Sequence, residues 1–270
     1  MTSDPTTPSR PAAPGLGARL TVEAGFLWSR LLGRPYQLTT VLFGCPVVLG
    51  IEARREITRA YGFELEAALM QRLLDHVRPG DTVYDVGANI GLISMILALH
   101  PAGRGCRVHS FEPEPRNFGE LARNIGLNGV QDRVTPHQVA LGRSEGEAAL
   151  FVRGSTGDGR HSIAETKGAE GSISVKLSTA TTFAQTTGQP PDVIKIDIEG
   201  AEGEMLAGAE GLIATGRPRE IIMEVHNKGG RDLMPDGTTI DAWLKARGYV
   251  LAWEQHRRSG VHRHYQRAGR

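Results

Sequence analysis

Cysteine is nearly absent from this chain: Cys45 and Cys106 are the two among 270 residues. That excludes a disulfide framework and any cysteine-rich zinc module. Lysine is scarce too, five of 31 basic residues, a skew that GC-rich codon usage accounts for and that carries no functional weight. Aromatics are 6% of the chain. Neither sign of charge dominates, since 31 Lys+Arg against 30 Asp+Glu leave +1. A chain built mainly to hold nucleic acid by charge would be far more basic. Long apolar runs are missing: the stretch around Val41 to Ile51 is broken by Gly44, Pro46 and Gly50 and is too short for a bilayer. The first 15 residues carry four prolines and no apolar run. They lack the basic start and apolar segment of a signal peptide and read as a disordered arm. With no export signal and no span, the cytoplasm is the default location.

What is present is length enough for one well-buried core and 34 glycines. The organisation read from the chain is a disordered arm over 1–18, an N-terminal extension of helix and strands over 19–60, and one domain over 61–270. Leu20, Ala24, Leu27 and Leu31 recur at helical spacing. VLFGCPVVLGI predicts a strand pair or bulged strand around Pro46. Ile57, Tyr61, Leu65, Leu69 and Leu73 predict one helix from Arg55 to Val77, ended by the turn Pro79-Gly80-Asp81. Strands and helices then alternate. TVYDVG, RVHSFE, RVTPHQVAL, PDVIKIDIEG and PREIIMEVH read as strands, and GLISMILALH, PRNFGELARNIGLNG and EGEMLAGAEGLIATG as helices between them. TIDAWLKARGYV gives a further helix running into a sixth strand. Strands separated by helices predict an α/β fold, a doubly wound, mostly parallel sheet with right-handed crossovers. One insertion, about 142–176, interrupts the rhythm and includes a glycine-rich stretch after Arg153. A loop this long is usually functional, and it leaves the sheet at the ligand end, so it is expected to form a hairpin and lid.

The chemistry starts at Asp85-Val86-Gly87-Ala88-Asn89-Ile90-Gly91, which joins the first strand of the alternating region to its helix. Gly87 and Gly91 permit a tight turn and a close ligand approach, and the helix N-terminus offers N–H groups. The three-glycine dinucleotide fingerprint is not met, because its register would need glycine where Asn89 and Leu92 stand. Asp85 ahead of the glycines suits a ligand carrying a cation, such as the amino group of S-adenosylmethionine. Glu112 ends the second of these strands, where an acid can accept both hydrogen bonds of a ribose diol.

DVGANIG, FEPEP, VALG, IKIDIEGAE and MEVH, in this order, resemble the FkbM family of S-adenosylmethionine-dependent methyltransferases from about Gly62 to His226. The resemblance implies a class I, Rossmann-like methyltransferase fold with an antiparallel last strand, and methyl transfer, usually to a hydroxyl of a sugar or secondary metabolite. It implies that Asp85, Gly87, Asn89 and Gly91 form the cofactor loop, that Glu112 holds the ribose and that Ala140 borders the adenine. Lys195, Asp197, Glu199 and Glu202 match the family's second signature, and Glu224 and His226 its strand-five signature. Where the family commonly carries a Thr-Leu-Asp-Asp-like stretch, Leu177 to Thr182 contain no acid.

Strand alternation makes its own case. Lys195, Asp197 and Glu199 fall on one face if their strand stays regular, and Glu224 and His226 share a face of the next. Such charges in apolar strands are costly unless paired, so Lys195 either joins the site or forms an ion pair with Asp197 or Glu224. Asp197 is the first choice for touching the cofactor's methionine end or the incoming hydroxyl. His226 has the ordinary pKa of a base near neutrality, or is a core histidine satisfied by hydrogen bonds. Glu199 is placed at the site and Glu202 as the helix cap. Asp197, Glu199, Glu224 and His226 also offer ligands to magnesium, though nothing fixes a geometry; no zinc spacing exists.

Glu254 to Arg270 holds five arginines and three histidines against one acid. A nucleic-acid reading would set these on phosphates. The favoured reading is a last hairpin, LAWEQHRR and VHRHYQR around Ser259-Gly260. The expected partner is therefore a small hydroxylated acceptor, with no membrane and nucleic acid disfavoured, and the oligomeric state stays open. The rivals are an RNA methyltransferase using the arginine tail and a non-catalytic cofactor-binding scaffold.

Overall fold

The computed structural model describes residues 16–62, 66–152, 171–226, 232–257 and 260–269. Helix α1 (Leu16–Leu31) is followed by a hairpin of β1 (Tyr36–Leu42) and β2 (Cys45–Ile51). The turn falls at Phe43-Gly44, both at positive φ, so Pro46 lies inside β2 rather than at the bend. The helix expected from Arg55 to Val77 is two, α2 (Arg54–Gly62) and α3 (Ala67–His76). Glycine is a weak helix former, and α2 ends on one. Of the expected arm, Leu16–Ala18 belong to α1, and residues 1–15 lie outside the described residues. The stripe Leu20, Ala24, Leu27 and Leu31 faces solvent; the face that packs carries Val22 and Phe26. Phe26 meets the ring of Tyr36 edge-on at 6.1 Å.

The main sheet is built from β3 (Thr82–Val86), β4 (Arg107–Phe111), β5 (Val134–His137), β9 (Val193–Ile196), β10 (Glu220–Val225), β11 (Tyr249–His256) and β12 (Val261–Arg267). Its order is β11-β12-β10-β9-β3-β4-β5. The pairs from β10 to β5 are parallel, while β12 runs antiparallel to both β10 and β11. The last strand thus slots between two others, leaving β11 on the edge. Alternation sorts the side chains onto two faces. On β3, Val83 enters one apolar cluster with α3, α4 (Leu92–Leu99) and α5 (Pro115–Leu127). Tyr84 and Val86 enter the other, with α6 (Ala180–Thr187), α7 (Glu202–Gly208), α8 (Glu210–Ala214) and α9 (Ile240–Ala246). Helices on both faces of a mostly parallel sheet make the doubly wound, Rossmann-like fold that the alternation predicts.

The strand read from RVTPHQVAL breaks after His137, and β6 (Ala140–Leu141) joins β7 (Gly146–Val152) and β8 (Gly171–Ser178) in a separate sheet ordered β6-β8-β7. β7 and β8 pair antiparallel as a hairpin. The glycine-rich stretch expected to act as the lid's tip, 153–170, lies outside the described residues. No helix among the described residues is long and apolar enough to cross a membrane.

Candidate active site

A cleft opens beyond the carboxyl ends of β3, β4, β9 and β10, the end at which open α/β sheets bind ligands. Its walls include Gly87, Asn89, Glu112, Ala140, Asp197, Glu199, Glu224 and His226. Asp85, Gly91 and Lys195, also expected at the site, are not on that wall.

The glycine loop explains two of these absences. Asp85 is fully buried and pairs with Lys195 at 3.0 Å, while its second oxygen accepts from Ser94 Oγ at 2.6 Å. The two residues sit side by side in the β3–β9 register. Lys195 Nζ also donates to the carbonyl of Gly87 at 3.0 Å. This corrects two expectations: Asp85 is turned to Lys195 and does not line the cleft, and the ion-pair partner of Lys195 is Asp85 and not Asp197 or Glu224. The pair fixes the loop from below.

The loop's amides are not open to a ligand either. Gly87 and Ala88 donate to the carbonyl of Phe111, Asn89 to Glu112, Ile90 to the Asn89 side chain and Gly91 to Ala88. Gly87 is at φ +76°, and a Cβ there would lie 1.9 Å from the carbonyl oxygen of Asp197. Glycine is needed at 87 so that the loop can lie against the chain leaving β9. Gly91, at φ +90°, is the left-handed N-cap of α4, where a Cβ would strike Met95 and Leu121. Its role is helix packing.

The FEPEP motif resolves into local physics. Glu112 follows β4, and Glu114 caps α5 by accepting from the Asn117 amide at 2.7 Å. Pro115 opens the helix where a missing N–H costs nothing. Glu112 accepts from the amides of Asn89 at 2.8 Å and Glu114 at 3.0 Å. Burial nevertheless pushes its pKa up to about 7, against those hydrogen bonds and the charge of Arg59.

β9 stops at Ile196, because the Asp197 amide turns to the carbonyl of Val86. Asp197 and Glu199 therefore lie on a loop and not on the strand face expected for Lys195, Asp197 and Glu199. Glu199 is a non-glycine residue at φ +51°, a conformation that is rarely adopted. It brings its carboxylate to 3.5 Å from His226 Nε2. His226 Nδ1 lies 2.9 Å from Glu202 Oε1, which also accepts from the Gly200 amide. Glu202 is fully buried and makes no N-cap bond to α7; it holds the histidine and ties the loop instead of acting as the expected cap.

These neighbours change the expected ionisation. Burial opposes charge on His226, but the bond to Glu202 and the carboxylates of Asp197 and Glu199 prevail and hold its pKa up to about 9. The imidazole is a cation at neutral pH, not a free base. Burial, outweighing the attraction of His226 and aided by repulsion from Asp197 and Glu224, pushes Glu199 up to about 7. Of this pair, Glu199 is the group poised to take a proton near neutrality.

Three further residues complete the cleft. Arg59, on α2, and Glu66, just ahead of α3, line it from the N-terminal side, and Arg257 from the end of β11. Burial pushes Glu66 above the ordinary range, against the attraction of Arg59. Arg257 lies 3.5 Å from Glu224 and donates to His262, the register partner of Glu224 on β12. Arg59 and Glu66 carry no local motif; the helix break that exposes them is the one signal, and periodicity runs through it.

The wall combines Glu66, Glu112, Asp197, Glu199 and Glu224 with Arg59, Arg257 and protonated His226. A small cationic ligand with a diol suits this donor set. Magnesium does not. One atom each of Asp197, Glu224 and His226 come within 4.8 Å of one another, but Glu199 is outside that group and a protonated imidazole is no ligand. Two of the tail's described arginines are committed away from the cleft. Arg263 bonds Glu254 and Asp232, each at 2.8 Å, and Arg267 bonds the Ile213 carbonyl. Both strands of the expected hairpin are present, with Arg258 and Ser259 outside the described residues.

Residues 85–251 match the family model described as the methyltransferase FkbM domain. Hexuronic acid methyltransferase AglP of Haloferax volcanii is 27% identical over 177 residues, covering 65% of this chain and 69% of its own. The 31-O-demethyl-FK506 methyltransferase FkbM of Streptomyces tacrolimicus is 30% identical over 214 residues, with coverage of 66% and 76%. A crystal structure of methyltransferase FkbM from Methylobacillus flagellatus aligns with a TM-score of 0.47 at 16% identity, covering 80% of this chain; this chain spans 56% of that one.

Proposed function

This chain is a member of the FkbM family of methyltransferases, and from that premise we propose that it methylates a hydroxyl oxygen of a sugar or natural product. The acceptors named for two relatives, a hexuronic acid and a demethylated FK506, are of those two kinds. The observation that carries the reading is Glu199, with a pKa near 7, facing His226 across 3.5 Å in an acid-lined cleft.

When bound, S-adenosylmethionine supplies an electrophilic methyl group on a sulfonium. Glu112 would accept from the ribose diol, and Ala140, which lines the same cleft, would border the adenine. Asp197 and Glu66 supply negative charge for the cationic end. Glu199 would take the proton of the acceptor hydroxyl as its oxygen receives the methyl group. Protonated His226, held by Glu202, keeps the Glu199 carboxylate oriented and balances its charge. Leu150, on β7, reaches the cleft wall, which supports a lid role for the β7–β8 hairpin on the acceptor side.

The test is a cofactor-dependent methylation screen over glycosides, polyketides and peptides, read by mass spectrometry with wild type and Glu199→Gln in parallel. O-methyl product from wild type, lost in the variant, is expected. Product at full rate from Glu199→Gln would sink the assignment. Salt-dependent methylation of RNA, with none of small hydroxylated acceptors, would replace it with the RNA reading.

A further inference from the structure

The opposite, amino-terminal end of the sheet holds a second group of titratable side chains that takes no part in the cleft. His76 is the last residue of α3, Glu220 the first of β10, and His264 lies mid-way along β12. Glu220 pairs with Gln266 across the antiparallel ladder and His264 with Ile222. Glu220, His264 and Gln266 therefore share one face of the sheet, and α3 lays His76 against it. His264 Nε2 lies 2.9 Å from Glu220 Oε2, and the two imidazole rings are 4.4 Å apart. One ligand atom from each of the three comes within 4.8 Å of the other two.

Ordinary core packing does not account for this arrangement. His264 is fully buried, and its Nδ1 has no hydrogen-bond partner. A buried polar atom left unpaired costs stability and calls for an explanation. The nearest cation is committed elsewhere, since Arg219 makes a two-pronged pair with Asp81 and stands 3.7 Å from Glu220. The Gln266 side-chain amide nitrogen donates to His76 Nδ1 at 3.2 Å and fixes the orientation of the ring.

We propose that His76, Glu220 and His264 form a binding site for a transition-metal cation of the zinc class, separate from the methyl-transfer cleft. Two imidazole nitrogens and one carboxylate oxygen are the donors that zinc, cobalt and nickel take. Zinc–ligand distances of about 2.0–2.2 Å require the three donor atoms to re-space around the ion, and solvent supplies the fourth position. His76 is half-buried and gives the ion its entry. Bound metal ties α3 to the β10–β12 ladder, so its effect is on stability and not on the chemistry at the far end.

The full chain, stripped with chelator and dialysed, is titrated with zinc chloride against a chromophoric competitor. One equivalent bound at submicromolar Kd is expected, with a rise in Tm of roughly 5 °C at a hundredfold excess over Kd. His76→Gln and His264→Gln should each weaken binding by more than about 100-fold, beyond what loss of an outer partner alone causes. Glu224→Gln, at the other end of the sheet, should retain the equivalent. Cobalt in place of zinc should give the visible bands of a nitrogen-ligated centre. Should His264→Gln fail to fold, the half-exposed His76→Gln and the wild-type cobalt spectrum still decide. No saturable zinc binding by wild type, unchanged binding in His76→Gln, or loss of the equivalent in Glu224→Gln would each overturn the proposal.

Discussion

The two ends of the parallel sheet are made from the same residue types and behave in opposite ways. At the amino end every described carboxylate next to the strands has a cation or donor in reach. Asp81 takes the fork of Arg219, Asp192 takes Arg217 at 2.6 Å, and Glu220 takes His264. Although burial opposes it, the bond to His264 holds Glu220 below the ordinary carboxylate range. At the carboxyl end the acids outnumber their partners. Glu112 and Glu199 are both pushed up to about 7, and His226 up to about 9. The backbone differs as well, with Gly87, Asn89 and Glu199 all at positive φ around the cleft. Charge left unmatched in a low-dielectric cleft, on a backbone held in rare conformations, marks a site built for chemistry. Charge matched pair by pair marks one built for stability or for a bound ion.

The sharpest way to break this contrast is at Gly87. A side chain there collides with the Asp197 carbonyl at 1.9 Å in a conformation that disfavours any Cβ. Gly87→Val should abolish cofactor binding altogether and lower Tm, because loop and β9 terminus cannot both keep their places. Calorimetry with S-adenosylhomocysteine checks it, and unchanged affinity would mean that the loop plays no part in the cleft.

Next in size is Glu199→Gln, expected to lower kcat by about 10²–10⁴-fold if this residue takes the hydroxyl proton. The sign of the pH dependence follows from the two shifts. Below about 7 Glu199 is protonated and cannot accept, so kcat at saturating methyl donor should rise with pH through that value. Above about 9 His226 loses its proton and the rate should fall. The variant should lose the rising limb and keep the falling one. A wild-type profile flat from pH 6 to 8 would remove Glu199 from the mechanism.

Lys195→Met tests the one ion pair that, among the described residues, the carboxyl half buries completely. Removing one partner of such a pair costs about 3–5 kcal/mol, because the other charge is left uncompensated. In a chain of this size that is a fall in Tm of roughly 10 °C. The double variant Asp85→Asn/Lys195→Met should recover much of the loss. If Lys195→Met left Tm unchanged and slowed only the methyl transfer, Lys195 would belong to the chemistry and not to the loop's foundation.

How much of this was legible without coordinates follows from how far apart the interacting residues are. The loop at Asp85 to Gly91, the acid Glu112 and the prolines around it could be read because each depends on neighbours a few positions away. The β-α alternation was legible for the same reason. The Asp85–Lys195 pair was not, since it depends on β9 lying beside β3 in a given register. Glu202 reads as a helix cap by position, and only the path of the chain beyond β10 brings His226 to it. The strand-face argument failed at Asp197 because one amide bond to Val86 ends β9 at Ile196, ahead of both Asp197 and Glu199. Helix α1 failed differently. Its apolar residues cover more than one face, and spacing does not say which face meets Tyr36.

Glu112→Gln gives the smallest effect and the finest discrimination. The carboxylate already accepts two backbone amides, from Asn89 and Glu114. A ribose diol would use the remaining lone pairs, and hydrogen bonds to a charged group are worth about 1.5–3 kcal/mol. The amide of glutamine presents donors where acceptors are needed, so cofactor affinity should fall by roughly 10–100-fold. Ionisation gives a second handle. A ribose hydroxyl donates best to the carboxylate form, so wild-type affinity should strengthen as pH rises through about 7. Glu199 titrates in the same range, and the comparison is therefore made in the Glu199→Gln background, where the share of the slope owed to Glu112 is the part lost when Glu112→Gln is added. If adding Glu112→Gln to that background left both affinity and slope unchanged, the ribose would be held by another group. The high pKa of Glu112 would then reflect burial at the end of β4 and nothing more.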